Sequence, residues 1–208
     1  MKVIKLRCTI TDTVLYEGRF ENVARCLEQA MKDRADITNV SLKNMDLSCA
    51  ALDEASFHMA DFTGANLTGA NLSEANFTDC RFLGAALFNT CLSYSRLLRC
   101  GFEGASFGGT EITGTWLEDC RFSTLSCFTL DFVQAATMRG TSFIGTSGEA
   151  YPMTRPPLVI RGAQMGPVSL LDRHIKIGAR VMPIHACAEH LQLVKGIEKL
   201  QKMKMIAA

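Results

Sequence analysis

Large apolar residues recur at every fifth position of the chain between Ile37 and Phe122. This period matches neither the 3.6-residue turn of an α-helix nor the two-residue alternation of a flat strand, and either element would turn many of these side chains toward water. The pattern instead predicts a chain that turns a corner every five residues and stacks its coils into a solenoid with the large residues inside. The eighteen positions are Ile37, Leu42, Leu47, Leu52, Phe57, Phe62, Leu67, Leu72, Phe77, Phe82, Leu87, Leu92, Leu97, Phe102, Phe107, Ile112, Leu117 and Phe122.

A compact residue stands two positions before most of these large residues, and we expect it to point inward as well. The remaining positions are mostly Asp, Asn, Ser, Thr, Gly and Glu, which favour turns and a solvated exterior. The compact residues are Ala50, Ala55, Ala60, Ala65, Ala70, Ala75, Cys80, Ala85, Thr90, Ser95, Cys100, Ala105, Thr110, Thr115 and Cys120.

Read in blocks of five, the segments ADFTG, ANLTG, ANLSE and ANFTD resemble the pentapeptide-repeat family, and the resemblance extends over residues 35–142. It implies an all-β solenoid, a right-handed quadrilateral β-helix with four pentapeptides in each coil. The length of this segment then gives about five and a half coils, and a spacing of about 4.8 Å between coils gives a rod about 25 Å long.

Residues 1–34 are predicted to form an N-terminal cap. The segments KVIKLRCTI and TVLYEG are typical of two short strands, and Asn22 can cap a helix that ends near Asp33. A cap is expected because an open coil end would expose core and unpaired strand edges. The apolar stripe of the helix, expected to lie on the first coil, is Val23, Leu27, Ala30 and Met31.

Residues 143–208 are predicted to form a C-terminal extension. The five-residue pattern weakens after Phe122, where its next positions are Cys127, Phe132, Thr137 and Ser142. PLVIRG and VSLLDRHIKIG then indicate short strands, and residues 186–205 indicate a helical tail rich in lysine. PPLVIRG and LLDRHIKIG also resemble a tail found behind pentapeptide repeats in proteins of bacteriophages and prophages.

Coils of twenty residues would stack identical positions into columns. One inner column is then an aromatic ladder of Phe62, Phe82, Phe102 and Phe122, beside a column of Cys80, Cys100 and Cys120. We expect these thiols to pack in the core, with a redox or metal role as the alternative. The chain has nine cysteines and shows neither a signal peptide nor a long apolar span, which predicts a soluble cytoplasmic protein without a membrane partner.

Charge is unevenly distributed along the chain. Residues 35–142 contain twelve acidic and six basic residues, net −6, whereas residues 1–34 carry +2 and residues 143–208 carry +5. Some pentapeptide-repeat proteins imitate duplex DNA and bind DNA gyrase, and an acidic rod is compatible with that role. Duplex DNA carries about one charge per 1.7 Å, however, so any mimicry here would be partial. The acidic candidates for partner binding are Asp53, Glu54, Glu74 and Asp79.

Four apolar residues occupy positions predicted to face outward, namely Leu83, Phe88, Leu98 and Trp116. Arg96 precedes Trp116 by twenty residues, which places a guanidinium beside the indole for a cation–π contact. Grouped exposed apolar residues indicate an interface with a second copy, with the C-terminal extension or with another protein.

Enzymatic chemistry finds little support in the sequence. The chain has no G-x-S-x-G motif and no phosphate-binding loop, so we expect no enzymatic activity and no cofactor. The residues His174, His185, Cys187 and His190 are weak metal candidates, because they lack the paired spacing of common zinc sites.

The sequence therefore favours a non-enzymatic protein-binding solenoid. We expect a phage or prophage accessory factor that binds and inhibits or modulates a host nucleic-acid-acting or defence protein, by partial DNA mimicry and without binding nucleic acid itself. One alternative is a self-associating scaffold that dimerises through the C-terminal extension. The other is a thiol-dependent or zinc-dependent activity in that extension.

Overall fold

The computed structural model describes residues 1–160, 168–177 and 180–184. The chain forms two compact units, Met1–Pro156 and Pro157–Ala208, so the extension predicted from residue 143 is divided between them. The first unit begins with two antiparallel strands, β1 (Lys2–Cys8) and β2 (Val14–Phe20), followed by helix α1 (Val23–Lys32).

Helix α1 begins where the sequence predicts. Asn22 is its N-cap, and the Asn22 side chain accepts a hydrogen bond of 2.9 Å from the backbone N–H of Arg25. Leu27 and Ala30 are fully buried as expected, but Val23 and Met31 are only half-buried. The buried stripe is rotated from the predicted one, and its members are Ala24, Cys26, Leu27, Glu28 and Ala30.

The next segment winds as an all-β solenoid with a twenty-residue coil. Arg96 pairs with Asn76 on one side and with Trp116 on the other, each in parallel register. The same spacing joins positions from Ser41 onward, which confirms four pentapeptides per coil. The strands are β3 (Val40–Ser41), β4 (Ser56–His58), β5 (Asn76–Thr78), β6 (Ala86–Phe88), β7 (Arg96–Leu98), β8 (Gly101–Phe102), β9 (Ser106–Gly108), β10 (Trp116–Glu118), β11 (Arg121–Phe122) and β12 (Ser142–Ile144).

Each of the four faces of the solenoid carries one column of large inward residues, stacked twenty residues apart. We number the faces by the order in which these columns follow Val40–Ser41 along the chain. The columns of the first, second and third faces begin at Leu42, Leu47 and Leu52, and each continues every twenty residues. The column of the fourth face begins at Ile37 and continues through Phe57 and Phe77. Corners between faces need a left-handed residue, with φ of 57° at Glu54 and 64° at Gly84. This requirement explains the abundance of glycine at the corners.

The core consists of the large residues that recur every five positions. All eighteen are buried, and the most exposed of them, Ile37, is only 6% exposed. The phenylalanine ladder of the first face forms as predicted, with ring centroids 4.8 Å apart for both Phe62–Phe82 and Phe82–Phe102. Stacked rings at this spacing are in van der Waals contact and pack the first-face side of the core.

The compact inward residues supply internal hydrogen bonds as well as volume. Thr90 Oγ1 donates to the carbonyl oxygen of Leu67 at 2.8 Å, and Cys120 Sγ donates to that of Leu97 at 3.3 Å. Hydrogen bonding to Cys100 and burial raise the pKa of the Cys80 thiol. Burial also raises the pKa of the Cys100 thiol, so Cys80 and Cys100 pack as neutral core groups rather than as the thiolates that nucleophilic cysteines present.

Both ends of the first face are closed by antiparallel strands. At one end, Arg7 and Cys8 of β1 pair with Ser41 and Val40 of β3. At the other end, β12 pairs with β13 (Ala150–Pro152). Each added strand covers a row of backbone groups that a parallel stack would otherwise leave open.

The last coil contains a one-residue bulge, which agrees with the weakening of the five-residue pattern at Thr137 and Ser142. Ala136 N still donates to Thr115 O in the regular pattern, but Trp116 pairs with Thr137, twenty-one residues later. Met138 and Phe143 therefore become the inward residues, 5% and 2% exposed. Two 3-10 helices precede the bulge, at Leu125–Thr129 and Phe132–Gln134.

The second unit contains an antiparallel four-stranded sheet. Its strands β14 (Leu158–Ile160), β15 (Val168–Leu170), β16 (His174–Ile177) and β17 (Arg180–Pro183) follow one another in order. The first three confirm the strands predicted there, whereas β17 was not predicted. Their buried core is Val168, Leu170 and Ile175. The predicted tail at 186–205 lies outside the described residues. Within the described part of the chain, no helix has the length and apolar character needed to span a bilayer.

Candidate functional site

The outer surface of the third face carries charge of a single sign. Its charged residues are all exposed carboxylates, whereas the outer surfaces of the other faces carry bases or are nearly neutral. Most of the net charge of −6 between residues 35 and 142 therefore lies on this one face. Its members are Asp53, Glu54, Glu74, Glu111 and Asp131.

The carboxylates of the third face have no neutralising partner among the described residues. Every salt bridge in that part of the chain lies on another face or in the N-terminal cap. Asp79, on the fourth face, shows the contrast, because Arg99 donates two hydrogen bonds of 2.7 Å to its carboxylate. These bonds hold the pKa of Asp79 below its ordinary value. Asp79 is thus internally satisfied, whereas the third face presents its charge to solvent.

The acids of the third face form two groups. Glu54 and Glu74 occupy one column in neighbouring coils, about 4.8 Å apart along the rod. Glu111 and Asp131 occupy a second column nearer the other end, and between the groups lies Tyr94, which is 66% exposed. This arrangement can accept hydrogen bonds from lysine and arginine side chains at two points and offer an aromatic contact between them.

Sequence reasoning selected three members of this face, Asp53, Glu54 and Glu74, but missed Glu111 and Asp131. The missing signal was the twenty-residue column, which places residue 111 in register with Ala51, Asn71 and Cys91 and counts residue 131 as its next position. Assigning each acid to a column, rather than counting acids along the chain, identifies the face.

The predicted apolar residues do not form one cluster. Leu83 lies on the first face and Phe88 on the second, 38% and 42% exposed. Leu98 and Trp116 lie on the fourth face, where Leu98 is half-buried and Trp116 is 46% exposed. Consecutive pentapeptides lie on different faces, so neighbours in sequence are separated around the rod.

Trp116 and Arg96 do make the predicted contact. The guanidinium carbon of Arg96 lies 5.3 Å from the centroid of the indole, and Arg96 Nη2 lies 3.5 Å from Glu118 Oε2. Stacking on Trp116 and pairing with Glu118 both orient the Arg96 side chain. The fourth face therefore exposes an indole ring beside an arginine whose charge is neutralised by a glutamate.

The weak metal candidates are not assembled by the described structure. His174 lies in β16 and is half-buried, while His185, Cys187 and His190 lie outside the described residues. Within the described ranges, no three residues among His, Cys, Asp and Glu are placed to hold a metal ion together.

Comparison with known proteins identifies the repeats. Residues 33–69 and 60–93 match the family model described as pentapeptide repeats, with eight copies. No curated protein is detectably similar in sequence to this chain.

Solved structures of pentapeptide repeat proteins align with part of the chain. One from the cyanobacterium Cyanothece 51142 has 16% identity and a TM-score of 0.34, covering 48% of this chain and 60% of its own. HetL from Nostoc sp. strain PCC 7120 has 18% identity and a TM-score of 0.34, covering 53% and 64%. This chain thus spans less than two thirds of the length of either protein.

A third structure, from the thylakoid lumen of Arabidopsis thaliana, has 28% identity and a TM-score of 0.33, covering 53% of this chain and 76% of its own. The family-model match at residues 33–93 and the twenty-residue register of the bridges both indicate pentapeptide repeats. The coils in residues 33–93 are therefore built of pentapeptide repeats.

Proposed function

We propose that this chain is a non-enzymatic, cytoplasmic protein-binding solenoid that docks its third face on a basic surface of a nucleic-acid-acting or defence protein. Occupation of that surface would inhibit or modulate the partner. The observation that carries the proposal is the row of exposed carboxylates on the third face, which make no ion pair within the described part of the chain. A phage or prophage origin is part of the proposal and rests on the resemblance of PPLVIRG and LLDRHIKIG to a C-terminal segment that follows pentapeptide repeats in proteins of bacteriophages and prophages.

The charge spacing favours a partner that recognises one phosphate strand. Five carboxylates spread over about five coils give about one charge per 4 to 5 Å, since coils are about 4.8 Å apart. One DNA strand carries a phosphate about every 3.4 Å, whereas the duplex carries about one charge per 1.7 Å. The third face thus approaches the charge density of a single strand, and the mimicry is partial.

Affinity purification from bacterial lysate tests the proposal. The full chain is used as bait, beside the variant Glu54→Gln/Glu74→Gln and the control Glu21→Gln/Glu149→Gln, which removes the same charge from exposed sites elsewhere. Wild type and control should recover a nucleic-acid-acting or defence protein, and the third-face variant should recover several-fold less. Excess duplex DNA should release the captured protein, because both compete for its basic surface.

Two results would contradict the proposal. Equal recovery by all three baits would show that the third face is not the binding surface. Recovery that excess DNA leaves unchanged would show that the partner is bound away from its nucleic-acid site.

A further inference from the structure

Strand β2 forms an open edge of the N-terminal sheet. The order of that sheet is β2-β1-β3, and among the described residues β2 has β1 as its strand partner on one side and none on the other. The only irregularity in the β1–β2 pairing lies between Leu6 and Arg7, opposite the start of β2. Tyr16–Phe20 is therefore a regular stretch with one row of unpaired backbone groups, which can template pairing with another strand.

The sequence of this stretch is complementary to itself in an antiparallel arrangement. When two copies pair about Gly18, Glu17 of one copy faces Arg19 of the other, and Tyr16 faces Phe20. Opposite charges and aromatic pairs directly across an antiparallel ladder are both stabilising. The two charged side chains are exposed, and the ion pair with Lys5 occupies only one carboxylate oxygen of Glu17, Oε2.

Gly18 suits the centre of such a pair. Residues opposite each other in an antiparallel ladder have Cα atoms about 4.5 to 5.5 Å apart, and glycine brings no side chain into that space. The ring of Phe20 already lies over Gly18, because a Cβ there would come within 2.5 Å of Phe20 Cε2. A side chain at position 18 would displace this ring.

The inner side of β2 is held in place by the rest of the cap. The hydroxyl of Tyr16 donates a hydrogen bond to the carboxylate of Asp33, directly after helix α1. On the outer side, Lys5 of β1 lies 2.9 Å from Glu17. These contacts fix the strand, so pairing with a second copy needs little further ordering.

We infer that β2 is a homodimer interface, in which two copies of the chain pair their β2 strands antiparallel about a two-fold axis at Gly18. Each copy contributes the same residues to both halves of the contact, as an isologous interface requires. The N-terminal sheets of the two copies join into one continuous sheet by strand addition. This interface is distinct from the C-terminal extension.

Sedimentation velocity of the full chain over a micromolar concentration range tests the inference. Wild type should sediment as a dimer. Glu17→Arg and Arg19→Glu should each weaken self-association at least tenfold, because like charges then face each other across the axis. The control Arg139→Glu, an exposed residue of the last coil, makes a similar charge change away from the edge and should leave the dimer intact.

Mixing the two weakened variants provides the decisive measurement. The Glu17→Arg variant carries two arginines on this strand and the Arg19→Glu variant carries two glutamates, so opposite charges face each other when one copy of each variant pairs. An equimolar mixture should therefore form a heterodimer, whereas neither variant dimerises alone. Circular dichroism melting of each variant checks that the fold is unchanged. A monomeric wild type, single variants that still dimerise, or a mixture that stays monomeric would each overturn the inference.

Discussion

The carboxylate of Glu28 occupies a position where a further coil would otherwise lie. In regular coils, the backbone N–H just before each large inward residue donates a hydrogen bond to a carbonyl oxygen of the preceding coil, as Asn71 N does to Ala50 O. Ala51 belongs to the first coil of the third face, and its N–H donates instead to Glu28 Oε1 at 3.0 Å. The side chain of Glu28 is only 8% exposed, and its other oxygen pairs with Arg25. One side chain of helix α1 thus completes the hydrogen bonding of the coil end.

Glu28→Ala should lower the free energy of unfolding by about 1 to 3 kcal/mol, the usual effect of leaving a buried donor unsatisfied. Glu28→Gln should lie close to wild type, because its amide oxygen can still accept from Ala51. Urea denaturation followed by circular dichroism measures both changes, with exposed Glu21→Ala as the control. Equal losses for the Ala and Gln variants would show that charge, rather than the accepted hydrogen bond, is responsible.

Glu28 also shows which features of single residues the sequence could not predict. The positions of Leu27 and Ala30 on the buried side of α1 follow from their apolar character and helical spacing. A glutamate on the same side contradicts that simple pattern, and its partner is a backbone N–H twenty-three residues away. Such a partner becomes visible only when the helix is docked on the coil.

At the scale of elements, regular coils were predictable because each pentapeptide repeats one local environment. A large residue inside, a compact residue before it and a left-handed corner after it recur with little dependence on the rest of the chain. The bulge at Ala136–Thr137 breaks this independence, because one extra residue moves everything that follows. Its signal was the pair Met138 and Phe143, two large apolar residues that each come one position late.

Deletion of Ala136 tests the bulge. It should restore the twenty-residue register and shift the thermal midpoint by no more than about 2 to 4 °C, which corresponds to about 1 kcal/mol in a chain of this size. Deletion of Asn76, at the equivalent position of a regular coil, moves Phe77 and the following large residues out of their inward columns. That deletion should lower the midpoint by more than about 10 °C. Comparable losses for both deletions would contradict the assignment of the bulge.

At the scale of the whole molecule, the solenoid separates charge by face. The first and fourth faces balance acids with bases, as in the ion pairs Lys43–Asp61 and Arg99–Asp79. The carboxylates of the third face have no basic partners in the ranges that the structure describes, and their mutual repulsion lowers the stability of the folded chain. Sequence composition gave the total charge but not this asymmetry, because the face of each residue depends on the coil length.

The stability of the molecule should therefore increase with moderate salt. Raising the ionic strength from about 0.01 M to about 0.15 M shortens the screening length from about 30 Å to about 8 Å, which weakens repulsion between exposed acids. We expect the thermal midpoint to rise by about 2 to 4 °C, a change of about 1 kcal/mol in a chain of this size. Glu54→Gln/Glu74→Gln should show a smaller rise, because neighbouring carboxylates in one column are removed. The control Glu21→Gln/Glu149→Gln should show the same rise of the thermal midpoint as wild type. An equal rise in all three proteins would show that the repulsion relieved by salt does not arise on the third face.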